Sequence, residues 1–129
     1  MAEGIFKYLI GRKIFVQSAG VFDTLEIDGF TIKVCDEIDV KLSRHRVRSL
    51  SEMEKEGGFI GSFDLIIPLT KESLVEAYKY STFSSVLIED WTIDEPIKNE
   101  NDINQTLESY RQTRDVIFDK IKNRFQNYI

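Results

Sequence analysis

Cysteine and histidine are each used once in this chain, as Cys35 and His45. A lone cysteine forms no internal disulfide, so stability has to come from a packed core. One Cys and one distant His also fall short of the converging ligands that a structural zinc site needs. The seven glycines fit neither G-x-G-x-x-G nor G-x-x-x-x-G-K-[ST], which removes two common phosphate-binding signatures. No apolar run is long enough to span a bilayer, and Glu3 stands where a signal peptide carries bases, so a cytoplasmic location is expected. Positive charge is in the minority: 17 Lys and Arg against 22 Asp and Glu leave a formal net charge of −5. That balance argues against nucleic acid and anionic membranes as partners. Only Arg44-His45-Arg46-Val47-Arg48 is locally basic. Repeats, linkers and low-complexity segments are absent too, so a single domain over residues 1–129 is expected.

What is present centres on Phe63-Asp64-Leu65-Ile66-Ile67-Pro68-Leu69-Thr70. A strand with one wet face alternates apolar and polar residues, and this run does not, so it reads as a parallel strand covered on both faces. Thr70 is placed to cap a helix through Tyr80 with Leu74 and Tyr78 inward. A second strand, Ser85 to Glu89, follows it, which makes a βαβ unit. The predicted fold class is therefore α/β. Upstream, Ile5, Tyr8 and Leu9 predict a helix ended by Gly11, Lys13 to Gln17 a strand, and Ile27, Phe30, Val34 and Ile38 a helix capped by Asp28. Residues 39–47 have no period and read as a loop. Ser51-Glu52-Met53-Glu54 has capping-box spacing for a short helix stopped at Gly57-Gly58. Thr92 to Asp102 is a polar, acidic loop. After it Ile103, Leu107, Tyr110, Ile117, Ile121 and Phe125 form the stripe of a long final helix.

Few residues offer chemistry. His45 reads as a solvated loop residue, and no nucleophile elbow accompanies it. Cys35 falls mid-helix beside Asp36 and Glu37, where local charge disfavours a thiolate, and reads as a structural thiol. The acids Glu89, Asp90, Asp94, Glu95, Glu100 and Asp102 crowd the carboxyl end of the second strand, the place where ligands bind in open parallel sheets.

Five segments in order, Met1-Ala2-Glu3-Gly4-Ile5-Phe6, Ser18-Ala19-Gly20, Leu42-Ser43-Arg44-His45, Phe63 to Thr70, and Tyr110-Arg111-Gln112-Thr113-Arg114-Asp115-Val116-Ile117, resemble the low-molecular-weight protein tyrosine phosphatases. The resemblance implies a three-layer, flavodoxin-like parallel sheet. It also implies phosphomonoester hydrolysis through a phosphocysteine, without metal or organic cofactor, on a phosphorylated protein or a small phosphomonoester. That family attacks phosphorus with the thiolate of a C-x5-R loop at a helix N-terminus. Cys35 does not match, because the residue six beyond it is Lys41. The family's general acid, an Asp before Pro, is replaced here by Glu95 before Pro96, with Asp94 adjacent, so these two are the candidate proton donors.

On this resemblance the first central strand and the nucleophile loop are missing, and the domain is N-terminally incomplete. The 129 residues are then expected to be inactive. The sheet is expected to fold poorly, to re-pair, or to take a strand from a donor or from another copy of the chain. Three rivals stand beside this reading. One is a pseudophosphatase. Another is a non-enzymatic binding protein using Arg44 to Arg48 or Glu89 to Asp102. The third is an arsenate-reducing relative, which needs further thiols that the chain lacks.

Overall fold

A computed structural model describes residues 1–22 and 26–129. The elements run α1 (Ala2–Ile10), α2 (Gly29–Asp36), α3 (Leu50–Lys55), β1 (Leu65–Ile66), α4 (Lys71–Ser81), β2 (Leu87–Ile88) and α5 (Ile103–Arg124). The chain is mixed α/β and mostly helical, with one two-stranded parallel sheet among the described residues. It divides into two compact units. Unit 1 comprises Met1–Ser18, Glu26–Arg46 and Pro96–Ile129, and unit 2 comprises residues 19–22 and Val47–Glu95.

In unit 1, α1 and α2 pack on α5. Gly11, at φ 68°, ends α1 and returns its N–H to the Lys7 carbonyl, as the sequence predicts. The buried face differs from the expected one. Ile5, Phe6 and Ile10 go inside with Glu3, while Tyr8 is 54% exposed. Phe6 meets Phe125 edge-on at 5.1 Å. Gly4 is mid-helix beside the buried residues Val40 and Leu42: a Cβ there would overlap the end of the Leu42 side chain, so a larger residue requires these side chains to shift. Asp28 caps α2 as expected, accepting from Phe30 N at 2.9 Å. Val34, Leu107 and Tyr110 form a core cluster that Met1 and Phe30 complete.

Helix α5 buries Leu107, Tyr110, Ile117 and Ile121, with Phe125 just beyond, whereas Ile103, which the predicted stripe includes, is exposed at the start of the helix. The six-residue gap between Tyr110 and Ile117 is bridged by Arg114, 8% exposed. The polar segment ahead of α5 has no regular structure and is ordered by side chains: Ile97 N donates to Ser109 Oγ at 2.7 Å and Asn99 N to Thr106 Oγ1 at 2.8 Å. The strand expected at Lys13 to Gln17 is not formed. Strand propensity becomes a strand only beside a ladder, and here the chain leads instead to Ser18, whose N–H is taken by a carboxylate of α1.

In unit 2, α3 is capped by Ser49 rather than Ser51. The Ser49 hydroxyl accepts from Glu52 N at 3.1 Å and donates to Glu52 Oε1 at 3.3 Å, two residues ahead of the predicted box. Ser49 has extended dihedrals and Ser51 is already helical, which decides between them. The βαβ unit is present, with Leu65 in parallel register with Leu87 and Ile66 with Ile88. Its regular strands are shorter than predicted, but the pairing continues. The carbonyls of Asp64, Ile66, Pro68 and Leu69 accept from the N–H groups of Leu87, Glu89, Trp91 and Ile93.

Thr70 caps α4 in a reciprocal box with Ser73: Thr70 Oγ1 accepts from Ser73 N and Ser73 Oγ from Thr70 N. Ala77 carries the buried face, while Leu74 is half-buried and Tyr78 is exposed, contrary to the predicted inward pair. Replacing Thr70 by alanine removes the hydroxyl that accepts from Ser73 N and contacts Ser73 Oγ, and leaves the backbone bond from the residue 70 N–H to Ser73 Oγ. It is expected to lower stability by about 1 kcal/mol, measured as a shift in the urea midpoint with an unchanged slope.

Candidate functional site

The first turn of α1, in unit 1, carries a buried carboxylate with partners from several segments. Glu3 shares the buried stripe with Phe6 and Ile10, and its side chain is only 9% exposed. A carboxylate withdrawn from water needs donors, and it has them. Oε1 accepts from Ser18 N at 2.7 Å and from Ser18 Oγ at 2.9 Å, and Oε2 accepts from Lys7 Nζ at 2.9 Å. His45 Nδ1 lies 3.3 Å from Oε2. Burial pushes the Glu3 carboxyl up, yet the donors from Lys7 and Ser18 outweigh it and hold the group below its ordinary range. His45 is lowered by its own burial, which the Glu3 charge opposes only in part. A neutral imidazole beside an ionised carboxylate carries its proton on Nδ1.

This corrects the picture of His45 as a solvated residue, because its side chain is only 14% exposed. The arrangement orients groups rather than activating one. Ser18 gives its hydroxyl proton to Glu3, so it is not set up as a nucleophile with His45 as base. The sequence signal for Glu3 was available in the spacing of residues 3, 6 and 10, which places the acid on an apolar helical stripe.

Cys35 is fully buried and burial pushes its thiol up, the environment of a structural cysteine. Among the described residues, no cluster of three or more His, Cys, Asp or Glu side chains has the arrangement to hold a metal ion.

The two candidate proton donors, Asp94 and Glu95, are in unit 2, on the loop after β2. The backbone ahead of them is held by Trp91 N and Ile93 N, which donate to the carbonyls of Pro68 and Leu69 at 3.1 Å. Asp90 closes a local turn by accepting from both N and Oγ1 of Thr92, and Trp91 Nε1 donates to Glu89 Oε2 at 2.7 Å. Asp94 and Glu95 are exposed. A general acid for neutral pH needs a carboxyl drawn out of water, and neither side chain is so placed. No helix among the described residues is long and apolar enough to cross a membrane. Comparisons with protein-family models, with curated proteins and with solved structures find no match to this chain.

Proposed function

We propose that the chain is a scaffold of the low-molecular-weight protein tyrosine phosphatase kind, with the flavodoxin-like three-layer plan, and that its 129 residues carry out no phosphoryl transfer by themselves. The observation that supports this is the convergence on Glu3 of Ser18 and His45. These three residues come from three separate segments on which the resemblance rests, and nothing in their sequence spacing would bring them together. The βαβ unit around Phe63 to Thr70 agrees with the same plan. The family reaction needs a thiolate and an arginine on one anion-binding loop. Here the sole thiol is the buried Cys35, followed six residues later by Lys41.

The purified chain is therefore expected to release phenolate from an aryl phosphate no faster than buffer does, and Cys35→Ser is expected to change nothing. Turnover above buffer overturns the inactivity. An experimental structure with Glu3, Ser18 and His45 apart removes the support for the scaffold itself. A second reading, a non-enzymatic binding protein, is favoured by one specific observation: among the described residues β1 has a strand neighbour on one side only.

A further inference from the structure

The parity of the β1–β2 ladder decides what the far side of β1 offers. In a parallel pair, residues whose N–H and C=O face the neighbour alternate with residues whose groups face away. Asp64, Ile66 and Pro68 give their carbonyls to β2, so the N–H and C=O groups of Leu65 and Ile67 point to the opposite side. On that side β1 has no strand neighbour among the described residues. Proteins usually blunt such an edge with proline, lysine or a bulge. Here the proline of the β1 segment, Pro68, lacks its N–H on the β2 side, so Leu65 and Ile67 keep their donors on the far edge. Leu65 and Ile67 are apolar and half-buried, and Leu87, in register with Leu65, is 68% exposed.

Charge selects the occupant. Exposed Asp64 opens β1, and exposed Asp90, Asp94 and Glu95 follow the carboxyl end of β2. A strand added beside β1 would run about 5 Å from it and about 10 Å from β2, so Asp64 lies within a Debye length of it at physiological salt and the acids after β2 come within one at low salt. A second copy of the chain brings the same acids and another formal −5, so pairing between copies sets like charges together. We propose that unit 2 accepts an extended apolar segment with basic flanks, supplied by another protein, as a strand added along residues 65–67. The phosphatase reading also expects a donated strand, but the occupant's chemistry goes beyond that reading, and the outward groups of Leu65 and Ile67 follow from the β1–β2 ladder alone.

The probe is a fluorescent peptide of five alternating valines and isoleucines with two lysines at each end, titrated with the full chain. Saturable binding is expected. Ile67→Pro deletes one outward N–H while sparing the bonds of Ile66 and Pro68 to β2, and is expected to weaken binding about tenfold or more. Exchanging the lysines for glutamates is expected to weaken it similarly at low salt, with the difference closing in about 1 M salt. Amide exchange is independent of any variant: peptide should protect the Leu65 and Ile67 amides and leave Ile66 unchanged. Three results would overturn the proposal. One is the absence of saturable binding up to about 1 mM peptide. Another is equal binding by Ile67→Pro without protection at 65 and 67. The third is a dimer in which those two amides are already protected.

Discussion

Replacing Arg114 by alanine is expected to lower the unfolding free energy by about 2–4 kcal/mol. Its Nη1 donates at 2.8 Å to the Val34 carbonyl in the last turn of α2 and at 2.8 Å to Glu37 Oε1, and its Nε donates to Asp115 at 2.9 Å. The last carbonyls of a helix have no partner within the helix, and Arg114 supplies one from a helix 80 residues away in sequence. Glu37 keeps about a third of its side-chain surface in water, so it can re-solvate. The larger loss comes from the Val34 carbonyl and the buried stem. Arg114→Met keeps the stem and should recover part of the loss, and Arg114→Lys, with the charge but not the fork, should fall between. Urea titration followed by far-UV circular dichroism measures all three.

The same contact sets an acid dependence. The bidentate hydrogen bonds of Arg111, with help from Arg114, hold the Glu37 carboxyl down to about 2, against an ordinary 4.5. A depressed carboxyl contributes stability that is complete above its unfolded value and is lost as pH falls through the folded one. The wild-type chain should therefore shed this contribution between pH 4.5 and about 2. Arg114→Ala should have part of that slope already removed. Equal acid slopes for the two proteins would show that Arg114 takes no part in holding Glu37.

Ile5→Ala is expected to cost about 2–5 kcal/mol, because Ile5 is fully buried and the neighbouring helix cannot collapse wholly into the space. Tyr8→Ala, three residues on, is expected to stay within about 0.5 kcal/mol, because Tyr8 is more than half exposed. The pair decides which face of α1 is inside. A costly Tyr8 with a tolerant Ile5 would mean that the helix is rotated from the orientation described.

That rotation illustrates what was and was not legible in the sequence. Helix existence was legible wherever a cap or stop carries its own chemistry: Asp28, Thr70 and Gly11 all act as their residue types predict. Faces were less legible, since a stripe of apolar letters does not show which polar residue is buried by having partners. Glu3 and Arg114 both occupy gaps in apolar stripes, and both are inside because distant donors or acceptors satisfy them. The strand expected at Lys13 to Gln17 failed for a different reason. A strand is a property of two segments, and its own letters describe only one. Of the candidate site, the loop position of Asp94 and Glu95 was legible from composition. The meeting of Glu3, Ser18 and His45 was not, because it is made by tertiary packing between residues 15 and 42 positions apart.

The two units should also differ in when they can form during synthesis. The βαβ core of unit 2 is contiguous in the chain, so its pieces leave the ribosome together. Unit 1 closes by laying its first helix against its last, with Phe6 on Phe125. At roughly 5–20 residues per second of translation, α1 waits on the order of ten seconds for the helix that buries Ile5. During that interval the apolar side of α1 is without its partner helix and is a surface that chaperones can shelter.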